Sequence, residues 1–110
     1  MVKIVYQIFD LVSKRKQEPK EFELNGFVQV GRSSKSGIVT PVNCGEVSRE
    51  HAILNYQQNR VFVTDVPRFG TAVLTRDETI LVPPHDHMVV PSGSIVVLAK
   101  QVGIKILYNN

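Results

Sequence analysis

Gly31-Arg32-Ser33-Ser34-Lys35-Ser36, Ser48-Arg49-Glu50-His51 and Asp65-Val66-Pro67-Arg68-Phe69-Gly70-Thr71 are three polar clusters strung along one short chain, each set against a run of apolar residues. Val28-Gln29-Val30 leads into the first cluster, Ala52 to Tyr56 leaves the second, Arg60 to Asp65 enters the third, and Thr71 to Leu74 leaves it. Apolar residues that recur every second position put successive side chains on opposite faces, as a half-buried strand requires. Polar clusters between such runs are loops at a sheet's end, where functional groups can sit without disturbing a core.

The same period extends in both directions. Val2, Ile4, Tyr6 and Ile8 share one face of an extended segment, with Lys3 and Gln7 on the other. Phe22-Glu23-Leu24, Asn25-Gly26 and Phe27-Val28-Gln29-Val30 predict a hairpin, because Asn-Gly supplies the positive φ of a type I′ turn. Met88 to Val90, Ser94 to Ala99 and Gly103 to Tyr108 predict further strands, punctuated by Gln57-Gln58-Asn59, Pro67, Pro83-Pro84, Pro91-Ser92-Gly93 and Gln101-Val102. Ser13 to Lys20 has no apolar period and reads as a solvated loop. No window keeps a 3.6-residue stripe, so the expected class is all-β, a sandwich or barrel.

Length and composition bound the rest. With 110 residues there is room for one domain and one core, spanning 1–110. Hydrophobic residues make up 43% and charged residues 21%, an ordinary globular balance. No apolar run reaches the roughly 20 residues that span a bilayer, and the first residues lack the pattern of a secretory signal. No membrane association is expected, and an intracellular location is. Cys44 is the only cysteine, so there is no intrachain disulfide and no Cys-rich metal site. A charge of +3 favours anionic partners but is too small to be a nucleic-acid footprint. Scattered basic residues, no Trp and 7% aromatic content give no stacking platform, so direct nucleic-acid binding is not expected.

The shared chemistry of the three clusters is phosphate recognition. Arginine stays charged and donates two parallel hydrogen bonds from a planar fork, and hydroxyls and backbone N–H groups can fill the remaining oxygens. A phosphorylated Thr brings about −1.5 to −2 charges and three acceptor oxygens, which suits one or two Arg with several small donors.

Gly-Arg at a strand end, then Ser-Arg-x-His, then a loop closing in Gly-Thr resembles the forkhead-associated (FHA) family, over about Val28 to Leu74. The resemblance implies an FHA-type β-sandwich of two packed, mostly antiparallel sheets, with eleven strands in the family's usual form. It implies a phosphothreonine-binding interaction module, with no enzyme activity and no cofactor. Arg32 and Ser48 match the family's principal phosphate ligands, and Arg49 matches a contact to the peptide main chain or phosphate. Arg68, Ser34 and Lys35 take assisting positions, and Gly31, His51, Gly70 and Thr71 shape the site. The family offers the threonine methyl a small apolar pocket, which favours phosphothreonine over phosphoserine. The sequence departs from the pattern at Phe69 and Leu74, where Asn is usual. An aromatic before Gly-Thr resembles Nbs1-like DNA-repair scaffolds, and mediator scaffolds of the same damage response are a second candidate. On that resemblance the chain is expected to be the N-terminal domain of a longer nuclear protein in the DNA-damage response.

Each assignment has a plainer competitor. Arg32 alone could be a surface Arg at a strand end, and His51 reads as a structural residue holding the Ser48 loop. Phe69 either packs beneath the loop or is an exposed contact. A Cys44–His51 nucleophile and base lacks an orienting partner or oxyanion hole. His85-Asp86-His87 is one polar loop without further ligands, so no metal is expected. The alternative to the phosphopeptide reading is a phosphorylation-independent homodimer, motivated by Phe69 and Leu74 standing where peptide-holding residues are usual.

Overall fold

The computed structural model describes residues 2–65 and 70–109, and these form twelve strands and no helix. In order they are β1 Val2–Asp10, β2 Arg15–Lys16, β3 Lys20–Leu24, β4 Phe27–Gly31, β5 Ile38–Val39, β6 Ala52–Gln57, β7 Arg60–Asp65, β8 Thr71–Leu74, β9 Thr79–Leu81, β10 His87–Val89, β11 Ile95–Leu98 and β12 Val102–Tyr108. One sheet runs β2-β1-β12-β11-β8-β9 with β3 also paired to β1, and the other runs β10-β7-β6-β4-β5. All pairings are antiparallel except β4 with β5. The expected all-β sandwich of two mostly antiparallel sheets is therefore the observed fold. Among the described residues no helix is long and apolar enough to cross a membrane.

Alternation explains the layers. Val2, Ile4, Tyr6 and Ile8 of β1 and Val102, Ile104, Ile106 and Tyr108 of β12 are buried on one sheet; Val30, Leu54, Val61 and Val63 are buried on the other, and all belong to one core. Each fully buried Val, Leu or Ile contributes roughly 1.5–3 kcal/mol. Tyr108 closes the core across the sheets: its hydroxyl donates to the Val90 carbonyl and accepts the Val61 N–H.

Register gathers the functional loops. Val30 faces Ala52, Ala52 faces Asp65, Thr71 faces Leu98, Leu98 faces Val102 and Val102 faces Asp10. The ends of β1, β4, β7 and β11 and the starts of β6, β8 and β12 thus lie at one end of the sandwich, with the first two polar clusters and, of the third, Asp65, Gly70 and Thr71.

Two local expectations are corrected. Asn25-Gly26 is not a hairpin turn: β3 pairs β1 in one sheet while β4 pairs β6 in the other, so the segment crosses between layers. Gly26 has φ +89°, but Asn25 is not in the left-handed region that a type I′ turn also needs. The tight hairpin is at Gln58-Asn59, both with positive φ (51° and 64°), between Gln57 and Arg60. The Ser13–Lys20 stretch is solvated but not wholly a loop. Arg15–Lys16 and then Lys20–Leu24 run along β1 with one extra residue between them, a bulge at the stretch containing Pro19, which has no N–H to give the ladder.

Replacing Tyr108 by Phe keeps the ring and removes both hydroxyl bonds; we expect a loss of about 1–2 kcal/mol in urea unfolding, and unchanged stability would remove this tie between the sheets.

Candidate functional site

The site begins where β4 ends. Gly31 is required there by contact rather than by conformation: a β-carbon on it would stand 2.1 Å from the Arg49 carbonyl oxygen and 2.9 Å from that of Ser48. With no side chain in the way, the two loops close on each other. Arg32 N–H donates to the Ser48 carbonyl at 3.1 Å and Ser33 N–H to the Arg49 carbonyl at 3.2 Å. Ser36 is buried, donates its N–H to the Ser33 carbonyl and points Oγ at the Arg49 carbonyl 3.4 Å away. Ser33 Oγ accepts the Lys35 N–H, so Ser34 and Lys35 are carried exposed on a tight turn.

Arg32 is half-buried and anchored by its inner nitrogen, with Nε donating to the Val47 carbonyl at 3.0 Å. Among the described residues no ion pair engages Arg32, Lys35 or Arg49, and no hydrogen bond engages the outer Arg32 nitrogens. Ser48 is half-buried and Arg49 exposed on the adjoining loop. The structure therefore brings Arg32, Ser34, Lys35, Ser48 and Arg49 to one end of the fold. Arg68 and Phe69 lie outside the described residues.

His51 is fully buried and joins the second loop to the third. Its Nδ1 accepts the Ser48 N–H at 3.0 Å, which leaves Nε2 to carry the proton and donate to the Gly70 carbonyl at 2.9 Å. Both ring nitrogens are thus committed to backbone, which leaves none to act as base for Cys44. The Cys44 thiol, pushed up to about 11 by burial and then by the Asp10 carboxylate, is a poor nucleophile at neutral pH. Gly70 has φ +88°, and its carbonyl also accepts the Ala99 N–H. Thr71 Oγ1 donates to Asp65 Oδ1 at 2.6 Å, tying together the two ends of the loop that bears Arg68 and Phe69. Gly31, His51, Gly70 and Thr71 thus each take part in the contacts that hold these segments together.

Two supports were not visible in the sequence motifs. One is the Val47 carbonyl, a backbone group with no sequence mark. The other is Asp10, whose carboxylate accepts from Val12 N, Ser13 N and Cys44 Sγ on one oxygen and from Ser13 Oγ and Asn43 Nδ2 on the other. These bonds, led by those from Ser13, hold the Asp10 carboxyl well below the ordinary carboxylate range. Gln101 adds its Oε1 to the Glu46 N–H at 2.8 Å. Together they fix the 41–47 loop, whose last residue positions Arg32. The signal for Asp10 was a lone carboxylate on the inward face of β1, after four apolar residues.

The fold is a β-sandwich whose end loops carry small hydroxyls and cations that, among the described residues, have no ion pair. A family model for the FHA domain matches residues 28–99, more than half of the chain, and the chain belongs to the FHA domain family. Similar solved structures include an engineered FHA domain with a Myc-pTBD peptide, with a TM-score of 0.76 and 13% identity over 97% of this chain and 93% of that one. The N-terminal FHA domain of S. cerevisiae Rad53p in complex with a phosphothreonine peptide has a TM-score of 0.74 and 10% identity over 96% and 94%. The Slr1951 protein from Synechocystis sp. has a TM-score of 0.67 and 18% identity over 100% and 99%. A search of curated proteins returns no match.

Two substitutions check the scaffold of the site. Gly31→Ala forces backbone apart at Arg49 and is expected to cost about 1–3 kcal/mol, with displaced amide signals at Ser33 and Arg49 in NMR spectra. For Asp10→Asn the sign follows from the depressed carboxyl. The stability the carboxylate contributes is present above its unfolded value near 3.8 and is lost as pH falls through the lower folded value. The Tm of the wild type should exceed that of Asp10→Asn at pH 7, and the gap should shrink below about pH 4; a pH-independent gap would contradict this role.

Proposed function

We propose that this domain binds a phosphothreonine in a partner protein, with Arg32 and Ser48 on the phosphate and Arg49 on the phosphate or peptide main chain. The observation that carries the reading is the Arg32 guanidinium: it is fixed through Nε at Val47, its outer nitrogens have no partner among the described residues, and Ser48 lies on the loop to which it is bonded. Such a preset fork saves the ordering cost of a free Arg side chain when phosphate arrives. Membership in the FHA family supports the reading, as does the phosphothreonine peptide named with the Rad53p structure. Ser34 and Lys35 add donors from the neighbouring turn, and Arg68 and Phe69 extend the contact along the peptide.

A nuclear scaffold of the DNA-damage response is the setting we propose. It rests on the resemblance of Phe69-Gly70-Thr71 to Nbs1-like domains, with mediator-type scaffolds as the alternative. A second reading, homodimerisation without phosphate, is favoured by one surface feature. Leu74 and Leu81 are 38% and 75% exposed and border, with Ala72 and Val97, an apolar depression of about 200 Å³ on the outer face of β8, β9 and β11.

Calorimetric titration with a degenerate phosphothreonine peptide library and its unphosphorylated twin tests the proposal. Binding is expected only to the phosphorylated library, and Arg32→Ala is expected to weaken it by about 10- to 100-fold, the scale of a charge-assisted hydrogen bond. Equal binding to both libraries, or undiminished binding by Arg32→Ala, would overturn it. A concentration-dependent dimeric sedimentation mass with no phosphopeptide binding would select the second reading.

A further inference from the structure

Beside the phosphate site, the tip of the β1–β2 turn and the 41–47 loop form a second surface that the phosphate reading leaves unused. Leu11, Val12 and Val42 are 46%, 49% and 83% exposed there. They are not on free ends. The Leu11 N–H donates to the Gln101 carbonyl, the Val12 N–H to Asp10, and Asp10 in turn holds Asn43 and Cys44 on the facing loop. The buried carboxylate thus pins both segments while three large apolar side chains face solvent.

Lys14, Arg15 and Lys16 follow directly on the same turn and are exposed. Among the described residues none of them ion-pairs with a carboxylate. The acidic groups nearby are Asp10, which is turned inward and occupied by five donors, the exposed Glu18, Glu21 and Glu23 further along the same stretch, and the exposed Glu46 on the facing loop. Phe9, Asp10, Leu11 and these three cations line a depression of about 530 Å³.

We infer that this surface binds the segment of the phosphorylated partner that flanks its phosphothreonine, selecting acidic residues together with a large apolar side chain. The inference rests on the phosphothreonine reading of the neighbouring site. Two observations commit it to that occupant. Charge complementarity calls for an acidic ligand, since three unpaired cations steer and orient anionic partners. Continuity ties the ligand to the phosphate site, because the 41–47 loop runs from Val42 to the Val47 carbonyl that holds Arg32 and on to Ser48. Ser48 lies six positions after Val42, at most about 20 Å of chain, so the Val42 determinant falls within about six extended residues of the phosphothreonine. One peptide engaging both surfaces gains from the first contact a raised effective concentration for the second.

The test uses a library with phosphothreonine fixed at the centre and six degenerate positions on each side, with an unphosphorylated twin, against the wild type, Lys14→Glu/Arg15→Glu/Lys16→Glu and Val42→Ser. The wild type is expected to enrich Asp or Glu and a large apolar residue on one side. The triple variant should lose the acidic enrichment and bind the best wild-type peptide about tenfold more weakly, and Val42→Ser should lose the apolar preference. Phosphate-dependent binding without flank selection, or selection unchanged in the variants, overturns this surface and leaves the phosphothreonine reading standing. Acidic selection that the triple variant abolishes, seen equally in the unphosphorylated library, overturns the phosphothreonine reading and with it the flanking position of the segment, while showing that this surface takes acidic ligands. Sedimentation of the wild type, but not the triple variant, with phosphatidylserine vesicles would assign the tip to a membrane and overturn the inference.

Discussion

A β-carbon on residue 31 would lie 2.1 Å from the Arg49 carbonyl oxygen, and the arrangement of the binding end follows from its absence. Because nothing projects from Gly31, the Ser48-Arg49 loop settles against the end of β4 and takes the N–H groups of Arg32 and Ser33. That contact sets Val47 where its carbonyl meets Arg32 Nε, and it brings His51 under Ser48 to reach Gly70. The first two loops and the described ends of the third are thereby held together, and among the described residues the outer nitrogens of Arg32 and the charged groups of Lys35 and Arg49 are left without an ion pair.

The distribution of buried polar groups shows how the two ends of the sandwich differ. Among the described residues, Asp10, Ser36, Thr40, His51, Asp65 and Thr71 are the buried polar side chains of the binding end, and Ser94 is the one elsewhere. Burying a polar group is unfavourable unless it is hydrogen-bonded, and an unmet bond costs more than a met one contributes. Asp10, His51 and Asp65 meet that condition by bonding to the loops themselves. The loops therefore cannot rearrange without leaving a buried group unpaired, and this makes the site preorganised rather than adaptable. At the opposite end the Tyr108 hydroxyl bridges Val90 and Val61.

The fold class was legible because alternation is a local property: the inward faces of β1, β6, β7, β8 and β12 can be read from every second residue. Partner choice was less so. Asn25-Gly26 marks the break between β3 and β4, yet nothing local states that Leu24 goes to β1 and Phe27 to β6, since either sheet satisfies the same alternation. The two- and three-residue strands β2, β5 and β9 are too short for a period to show. At the candidate site, the placing of Arg32, Ser48, Arg49 and His51 on loops between strands was readable from the sequence, while the roles proposed for them come from the family resemblance. The Val47 carbonyl was not, because any residue carries one, and Asp10 was overlooked although an acid at an inward position on a strand requires partners. The assignments to Arg68 and Phe69 fall outside the described residues.

The most direct measurement is an amide chemical-shift map of the ¹⁵N-labelled domain titrated with a phosphothreonine peptide library. The account predicts shifts concentrated at 31–36, 47–51 and 65–71, absent with the unphosphorylated twin. Shifts centred instead on the outer face of β8, β9 and β11, or the same shifts with either library, would contradict the assignment of phosphate recognition to this end of the fold.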